Sequence, residues 1–488
     1  MCIRNKYMET KPVIYWFRRD LRLSDLPGLL AATSEGREVM PCFILDDDAA
    51  GEHATGAASR WWLHHSLASL DSDIRKLGGG LLLRQGDSLS ELRSLLTETG
   101  ADRVYCSRRY EPWAAQQEQQ LFTALERDGV LLKRFPGTLL WQPEQVLNQA
   151  GLPFKVFTPF WKRCLQLPTP SLPMGVPDDL RFASTENPGL ELDDLQLLPR
   201  NPNWAAHWNQ LWTPGEAGAR RRLASFLDHG IDDYNEGRNH PAQEKTSKLS
   251  AHVAFGEISP RQLWDAMQPL RVSGQNSCKQ ADKFLSEMGW REFSHHLLHH
   301  FPTLIEQPFK PGFANFPWSG KQEHLAIWQK GLTGYPVVDA GMRELWHTGY
   351  MHNRVRMIVA SFLTKHLLLP WQLGEAWFRN TLVDADLANN SCGWQWVAGS
   401  GADAAPYFRI FNPTLQGEKF DKAGDYVRRW VPELAALPDK YLHEPAKAPA
   451  AVLEEAGVVL DQTYPEPIVE HRAAREAALA AFQSIKAA

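Results

Sequence analysis

The sequence predicts two domains of different class: an N-terminal α/β domain on a doubly wound parallel sheet, and an all-α C-terminal domain. Short apolar runs alternate with amphipathic helical stretches up to about residue 145. A segment rich in proline, asparagine and aspartate follows, and beyond it the pattern is helical almost throughout. We therefore expect an α/β domain at 10–145, an interdomain linker at 146–220 and a helical domain at 221–488.

Four strands are predicted in the first domain, each a short apolar run. They are VIYWF at 13–17, VMPCFIL at 39–45, GLLLR at 80–84 and RVYCS at 103–107. Amphipathic stretches such as SRWWLHHSLASLDSDIRKL at 59–77 separate them, which indicates parallel strands joined by helices. The first strand leads into WFRRDLRLSD and not into GxGxxG, which argues against a dinucleotide site of the usual kind in this domain.

Composition sets the class of protein. The 488 residues suit two or three domains, and 43% apolar with 22% charged residues indicates a globular protein with a large core. A net charge of -5 excludes a surface that is basic throughout but permits a local basic groove. Six scattered cysteines without a CxxC pair favour reduced thiols in the cytoplasm over a zinc knuckle or a disulfide framework.

Neither a signal peptide nor a membrane helix is predicted. The start, MCIRNKYMETK, lacks the apolar core of a signal peptide, and either Met1 or Met8 fits as the first residue. No apolar run approaches the roughly 18 residues that a membrane span requires.

The helical part carries most of the unusual polar residues. DADLANNSCGWQW at 384–396 combines two acids, adjacent amides and two indoles. In HNRVRM at 352–357, Arg356 is expected to pair with Asp384 or Asp386, and a purely structural ion pair is the alternative. TSKLS at 246–250 offers hydroxyls and amides to a phosphate, or else a helix N-cap.

A further polar set lies in SEMGWREF at 286–293. Glu287, Trp290 and Arg291 share one helical face, which suits recognition of a flat, polar, uncharged ring. The alternative is an amphipathic helix with an intrahelical Glu–Arg pair. The next residues, SHHLLHH, place histidines at i, i+4, but no HExxH carboxylate or third ligand accompanies them, so we predict no metal site.

Together these motifs resemble the photolyase/cryptochrome family, and most closely its class I cyclobutane pyrimidine dimer (CPD) photolyases. The resemblance runs from about residue 12 to the end. Besides the segments above it rests on KVFTPFWK (155–162), GLTGYPVVDAGMREL (331–345), GYMHNRVRM and DAAPYFRIFNPTLQGEKFD (403–421). It implies an N-terminal antenna-binding domain and a C-terminal domain that holds FAD in a U-shape.

The resemblance also implies the flavin site. Its FAD-binding residues would be Tyr234, Thr246, Ser247, Leu249, Ser250, Arg291, Asn353, Arg356, Asp384, Asp386 and Asn390. Asn390 matches the position facing flavin N5, where the family's photolyases typically have Asn and many cryptochromes have Asp or Cys. A neutral amide adds no negative charge beside the working form, FADH⁻.

Catalytic and DNA-binding roles are implied in the same way. The catalytic set would be Glu287, Asn390 and the tryptophan chain Trp394, Trp371 and Trp318, which carries electrons inward from solvent to the flavin. The substrate and DNA contacts would be Glu287, Trp290, Asn353, Arg354, Met357, Trp396, Arg409 and Lys419, with Arg238 as a further phosphate contact. Met357 is typical of CPD enzymes, whereas (6-4) enzymes use His in this part of the pocket.

The implied partner is UV-damaged DNA, from which photolyases flip the lesion into the active site. Excited FADH⁻ would pass an electron to the dimer, the cyclobutane bonds would split, and the electron would return. We expect a monomer in the cytoplasm with no membrane association and no obligate protein partner. The resting redox state of the flavin and the preference for single- or double-stranded DNA stay open.

Several positions depart from the family pattern or leave a choice. Phe284, Tyr350, Ser391 and Cys392 replace residues usual in bacterial relatives, which bears on flavin tuning. Glu111 favours a folate antenna (MTHF), whereas Glu306 stands where a folate-binding relative has Lys. The segment 59–67 looks more like relatives that carry a deazaflavin (8-HDF), so the antenna stays open.

Four other functions compete with CPD repair. They are a blue-light cryptochrome without repair activity, a (6-4) photolyase, a dark redox flavoprotein and a non-catalytic DNA-binding module. Asn390, Met357, Glu287 and the lack of a long extension after Phe482 argue against a cryptochrome. Light dependence would exclude a dark oxidoreductase, and bound yellow flavin would exclude a non-catalytic module.

Overall fold

Five parallel strands form the sheet near the N-terminal end of the chain in the computed structural model, which describes residues 10–404 and 408–487. The strands are β1 Val13–Phe17, β2 Val39–Leu45, β3 Leu82–Gln85, β4 Arg103–Ser107 and β5 Leu131–Phe135. Their order is β3-β2-β1-β4-β5, and all pairs are parallel. The predicted doubly wound sheet is therefore confirmed.

Burial explains which strands the sequence reveals. Every residue of β1 and β2 is buried, as expected for central strands covered on both faces. They pair in register from Val13 opposite Val39 to Phe17 opposite Phe43. Strand β5 was not predicted; it lies at the edge of the sheet and exposes Leu131, Lys133 and Arg134, so it lacks a continuous apolar run.

Helices separate the strands and make up most of the rest of the chain. Those up to residue 273 are α1 Pro27–Ser34, α2 Ala57–Lys76, α3 Ser88–Thr99, α4 Pro112–Arg127, α5 Phe157–Cys164, α6 Glu216–Ser225, α7 Tyr234–Gly237, α8 Ser250–Ala254 and α9 Pro260–Ser273. Those beyond it are α10 Gln275–His300, α11 Glu323–Gln329, α12 Pro336–Thr348, α13 Asn353–Ser361, α14 Trp371–Thr381, α15 Leu387–Ala398, α16 Pro413–Phe420, α17 Asp425–Trp430, α18 Asp439–Leu442, α19 Ala450–Glu455 and α20 His471–Ala487. A π-helical turn, Phe362–His366, continues α13.

The internal contacts divide the chain into two units. The first runs up to Gln145 and includes Leu167–Leu223 and Leu249–Pro269; the second is Val146–Gln166, Ala224–Lys248 and the chain from Leu270 onward. The segment 249–269, predicted to be part of the helical domain, belongs to the first unit because Trp62 Nε1 donates to Glu257 Oε1 at 2.9 Å. The predicted linker is shared between the units, since α5 packs against α10 in the second.

Each unit has its own core. In the first, β1, β2 and β4 pack on α3 and α4 through residues such as Ile14, Cys42, Leu95 and Leu121. In the second, the stretch from α12 to α15, including the segments between these helices, supplies most of the buried apolar side chains of the main cluster, among them Trp371 and Trp394.

Two other expectations concern the described part of the chain. No helix within it is long and apolar enough to cross a bilayer. The choice between Met1 and Met8, and residues 405–407 of the DAAPYFRIF motif, lie outside the described residues.

Candidate functional site

The first acid–amide cluster lies where α15 begins. Asp386 caps the helix, since its Oδ1 accepts hydrogen bonds from the backbone and side-chain nitrogens of Asn389 at 2.9 and 2.7 Å. His295 Nε2 of α10 lies 3.4 Å from Asp386 Oδ2. Burial by itself would raise the pKa of Asp386, but His295 and Arg291 hold that pKa well below its usual range. Asp386 is therefore a fixed anion at the end of a helix.

Arg356 of α13 pairs with Asp384, one of the two predicted partners. Its Nη2 donates to both carboxylate oxygens at 3.1 and 2.8 Å, and its Nε donates to Met351 O at 2.7 Å. The Tyr350 ring lies 5.3 Å from the guanidinium, and the Tyr350 hydroxyl hydrogen bonds to Thr246. The pair offers charged hydrogen-bonding groups in a fixed geometry, which suits the polar edge of a flat heterocycle.

Asn390 is held through its amide nitrogen. Nδ2 donates to Glu375 O at 3.0 Å and to Glu375 Oε1 at 2.8 Å, so both amide hydrogens face α14. Arg379 lies 4.0 Å from the other oxygen of Glu375. The orientation of Asn390 is therefore set by a buried carboxylate, a partner that the sequence did not indicate.

The TSKLS segment does not cap a helix. Helix α8 begins at Ser250, and the preceding residue is Leu249, whose side chain cannot accept a hydrogen bond. The N-cap alternative for Thr246 and Ser247 is therefore wrong. Leu249 and Ser250 belong to the first unit, whereas Tyr234, Thr246 and Ser247 belong to the second.

Of the residues that depart from the family pattern, Phe284 and Ser391 are buried, and Tyr350 and Cys392 are partly buried. Phe284 packs edge-on against Tyr234, with ring centroids 5.6 Å apart. Ser391 is fully buried and its hydroxyl has no hydrogen-bond partner. Burial raises the pKa of Cys392 to about 12, so this thiol stays protonated.

Two of the three predicted chain tryptophans are buried and the third is partly buried. Trp394 and Trp371 are 2% exposed, and Trp318 is partly buried at the edge of the same core. The Trp394 ring packs on Gly374, where an added Cβ would lie 2.1 Å from ring carbon Cη2. Gly374 lies on α14, the helix that begins at Trp371. Because glycine has no side chain, this position of α14 leaves room for the Trp394 indole.

Glu287 does not form the intrahelical pair with Arg291. Its carboxylate binds Arg238 Nη2 at 2.6 Å and Lys283 Nζ at 2.8 Å, while Arg291 lies 3.3 Å from Glu292. The intrahelical Glu–Arg alternative is therefore wrong. The two cations fix the orientation of the Glu287 carboxylate, which can still accept further hydrogen bonds.

An aromatic platform and a capped helix flank Glu287. Trp290 stacks on Phe157, with centroids 3.9 Å apart and planes 9° apart. His352 caps α13 by accepting from Arg354 N at 3.2 Å, and Asn353 is the exposed first residue of that helix. Burial and the cations Arg238 and Arg354 lower the pKa of His352 to about 3, which keeps it a neutral acceptor.

The predicted DNA-contacting cations are close enough to affect one another. Burial, Arg238 and Arg409 lower the pKa of Arg354. Arg354 Nη2 donates to Asn239 Oδ1 at 2.6 Å, its Nη1 lies 3.8 Å from Met357 Sδ, and its guanidinium lies 4.4 Å from the Phe420 ring. Lys419 and Arg409 are exposed. This basic group contrasts with the net negative charge of the chain.

The histidine run has local roles. His296 Nε2 accepts from Phe154 N at 3.0 Å, and His295 contacts Asp386. His299 and His300 pack ring to ring. Among the described residues, no three converging ligand groups include any of these four histidines.

In the first unit, the candidate antenna residues have protein partners. Glu111 binds Arg109 through both oxygens, at 2.5 and 3.0 Å. Trp61 and Trp62 of α2 are buried, and Trp61 packs edge-on against Trp208. These contacts do not discriminate between a folate and a deazaflavin.

Comparison with known proteins places these two units in one family. A profile described as "DNA photolyase" matches residues 13–178, and one described as "FAD binding domain of DNA photolyase" matches residues 284–484. A deoxyribodipyrimidine photo-lyase of Agrobacterium fabrum is 50% identical over 98% of this chain and 99% of its own. The chain belongs to the photolyase/cryptochrome family.

Other family members span both branches. A crystal structure described as a bacterial class III photolyase from Agrobacterium tumefaciens has 48% identity and a TM-score of 0.95, and the match covers all of both chains. Cryptochrome-1 of Arabidopsis thaliana is 36% identical over 97% of this chain and 71% of its own. The family and its fold, as predicted, are confirmed, whereas the class I detail is not.

The chain thus carries an FAD-binding domain, and its residues fit the cofactor. Ser391 Oγ, Trp394 Nε1 and His352 Nε2 are buried without a hydrogen-bond partner. Buried polar atoms of this kind are rare in folded proteins unless a ligand or water satisfies them. They lie on α15 and just before α13, the helices that also carry Asn390 and Arg356.

Some functional neighbours gave no recognisable signal in the sequence. Glu375 and Gly374 follow Trp371 within an ordinary amphipathic helix, and Lys283 precedes Glu287 by one turn. Phe157, which stacks on Trp290, is distant in the chain. Only the spacing of Lys283 and Glu287, at i and i+4, could have revealed a pair.

Proposed function

We propose that this chain is a light-driven enzyme that repairs cyclobutane pyrimidine dimers in DNA. The observation that carries the proposal is Asn390, which matches the family's position facing flavin N5 and whose amide nitrogen donates to Glu375. A fixed neutral side chain there favours an anionic reduced flavin and distinguishes this site from the many cryptochromes with an acid. The 50% identical photo-lyase supports the same assignment.

In this proposal, the chain's own residues hold the lesion and orient it. Glu287, oriented by Arg238 and Lys283, accepts hydrogen bonds from the base edges of the dimer. Trp290, stacked on Phe157, provides one apolar wall and Trp396 another. Met357, as in other CPD-type enzymes, leaves the pocket without the histidine of (6-4) enzymes.

FAD in its reduced form, FADH⁻, supplies the electron that blue light makes available to the dimer. Tyr234, Thr246, Ser247, Leu249 and Ser250 would bind its phosphate side. Arg291, Asn353, Arg356, Asp384, Asp386 and Asn390 would surround the flavin. Trp394, Trp371 and Trp318 would connect it with solvent for photoreduction, and of the three only Trp318 is partly exposed.

DNA binding in this proposal rests on a local basic group. Arg238, Arg354, Arg409 and Lys419 would contact phosphates around the flipped dimer, which makes affinity fall with salt. We further propose that the protein works as a monomer in the cytoplasm; its five described cysteines form no disulfide, as a reducing compartment would require.

A cryptochrome function is the second candidate, because plant cryptochromes are 36–37% identical to this chain. The test is blue-light repair by enzyme with chemically reduced flavin, offered a CPD oligonucleotide and a (6-4) oligonucleotide side by side. Dark samples are the control. Light-dependent loss of the CPD alone supports the proposal.

The other results have distinct meanings. Repair of the (6-4) lesion would overturn the role of Met357. Repair of neither lesion, with FAD bound, would move the chain to the cryptochromes.

A further inference from the structure

A pocket of about 260 Å³ opens beside Trp396 in the second unit, away from the predicted flavin residues. Its walls come from the π-helical turn after α13, the end of α15, residues 408–411 and α20. None of the eleven predicted FAD-binding residues lines it. Its size is slightly below the roughly 300–1,000 Å³ of pockets that hold drug-sized ligands, so it suits one small ring system.

The pocket is strongly cationic. Lys310, Lys365, Arg409 and Lys486 line it, and none of the described lining residues is acidic. Lys365 is 1% exposed, and its ammonium donates to Arg409 O at 2.8 Å. Burial lowers the pKa of Lys365 to about 7 and also lowers that of Lys310. A buried ammonium that faces a pocket without acids favours an anionic ligand.

Flat apolar surfaces complete the walls. Phe408 and Phe482 stack with centroids 4.5 Å and planes 8° apart, and Lys365 Nζ lies 3.7 Å from the Phe408 ring. Trp396 contributes an indole. Aromatic walls together with cations are the combination by which proteins bind single-stranded nucleotides: the base stacks on the ring and the phosphate meets the cations.

The position of the pocket identifies the source of that nucleotide. Trp396 and Arg409 belong both to the pocket and to the predicted DNA contacts. We propose that the pocket is a second base-binding subsite, which takes one unpaired nucleotide of the damaged strand next to the dimer. The base lies against Trp396 and Phe482, and its phosphate meets Lys310, Lys365 and Lys486. This inference rests on the proposed function, since it presupposes that lesion-bearing DNA binds here.

The test uses the FAD-bound enzyme and single-stranded CPD oligonucleotides in which one flanking nucleotide at a time is abasic. Binding is measured by fluorescence anisotropy. For the wild type we expect one flanking position at which the missing base weakens binding about tenfold, as loss of a stacked base does. In Phe482→Ala this positional penalty should shrink to within about twofold. In Lys486→Gln, which removes a phosphate contact and keeps the aromatic wall, the penalty should persist while binding weakens at every position with a salt slope reduced by about one. Lys486 is exposed, so its substitution leaves folding intact even if Phe482→Ala does not.

Lys440→Gln is the matched control, because it removes the same charge from an exposed lysine outside the pocket and should keep the full penalty. An equal penalty in all variants, or none in the wild type, overturns the proposal. A full positional penalty in Phe482→Ala, or binding by Lys486→Gln that is as tight as the wild type with an unchanged salt slope, also overturns it. Free thymidine monophosphate that binds equally well in the presence of DNA would show a site for free nucleotides instead.

Repair of the intact CPD oligonucleotide under blue light is measured on the same wild-type sample. If the enzyme repairs the CPD but shows no positional penalty, the proposed subsite is wrong and the proposed function still holds. If the enzyme neither binds nor repairs the oligonucleotide, both proposals are wrong.

Discussion

Replacing Asn390 by Asp should place two carboxylates in contact between α15 and α14. Asn390 Nδ2 lies 2.8 Å from Glu375 Oε1, and Glu375 is 6% exposed. In Asn390→Asp an oxygen takes the place of that nitrogen, so two hydrogen bonds become repulsive contacts. Two unit charges at that distance repel by about 6 kcal/mol at an effective dielectric constant of about 20.

The protein can lower this energy by protonating one carboxyl group. From an ordinary carboxyl pKa near 4, protonation at about pH 7.5 costs roughly 5 kcal/mol, at 1.36 kcal/mol per unit. Arg379, 4.0 Å from Glu375, offsets part of the repulsion, and water reaches the half-buried Asn390. We therefore expect Asn390→Asp to destabilise the protein by about 2–4 kcal/mol at about pH 7.5.

The sign of the pH dependence follows from the raised pKa of the carboxyl pair in the folded state. Below the unfolded pKa both states hold the proton and the penalty is small; as pH rises through the folded pKa, stability is lost. Urea unfolding of wild type and Asn390→Asp can be followed by tryptophan fluorescence. The difference between their free energies of unfolding should increase from about pH 5 to about pH 7.5.

Glu375→Gln is the control substitution. In the double variant Asn390→Asp/Glu375→Gln, the glutamine amide can donate to the new carboxylate, so most of the lost stability should return. The contact between Asn390 and Glu375 would be refuted by a difference in the free energy of unfolding that is the same at both pH values. It would also be refuted if the double variant were no more stable than Asn390→Asp.

Four further predictions address the electron chain, the pocket for the lesion and the core. Trp394→Phe should slow photoreduction of oxidised FAD at least tenfold, measured by absorbance under blue light; loss of repair with pre-reduced flavin would show the chain assignment to be incomplete. Glu287→Ala should lower the yield of CPD repair while FAD absorbance is retained, and an unchanged yield would remove Glu287 from the pocket. Gly374→Ala puts a Cβ 2.1 Å from the Trp394 ring, so it should lower stability by about 1–3 kcal/mol and the melting temperature with it, whereas Gly393→Ala, with nothing within 4 Å, should not. Burial lowers the pKa of Lys365 to about 7, so the wild type should be less stable than Lys365→Met. This difference in stability should be largest below about pH 7 and should shrink toward pH 10. Equal melting-temperature differences at about pH 7 and pH 9 would contradict this.

Much of the fold could be predicted because local sequence patterns indicate its strands and helices. Strands β1 and β2 are continuous apolar runs, which is what burial on both faces requires, and their predicted bounds match the structure. Strand β5 was not predicted because an edge strand can expose charged residues such as Lys133 and Arg134, which interrupt the apolar run. The segment 249–269 was placed in the wrong unit because a helical pattern does not say which core a helix joins.

The candidate site was predictable in composition but not in pairing. That Arg356 binds Asp384, 28 residues away, and not Asp386 depends on Asp386 being engaged by Asn389 and His295. Likewise Glu287 binds Arg238 and not Arg291, since a long-range cation reaches it.

By itself, the sequence determined the family, the two fold classes and four of the five strands, because motifs and periodicity are local properties of the chain. Only the tertiary structure decided which groups meet: Asn390 with Glu375, Trp394 with Gly374, and Lys365 with the backbone of Arg409. Each of these contacts joins separate segments, and its energy depends on burial that no single segment carries. The physical reason is that side-chain partners, and the pKa shifts they cause, are set by packing in three dimensions.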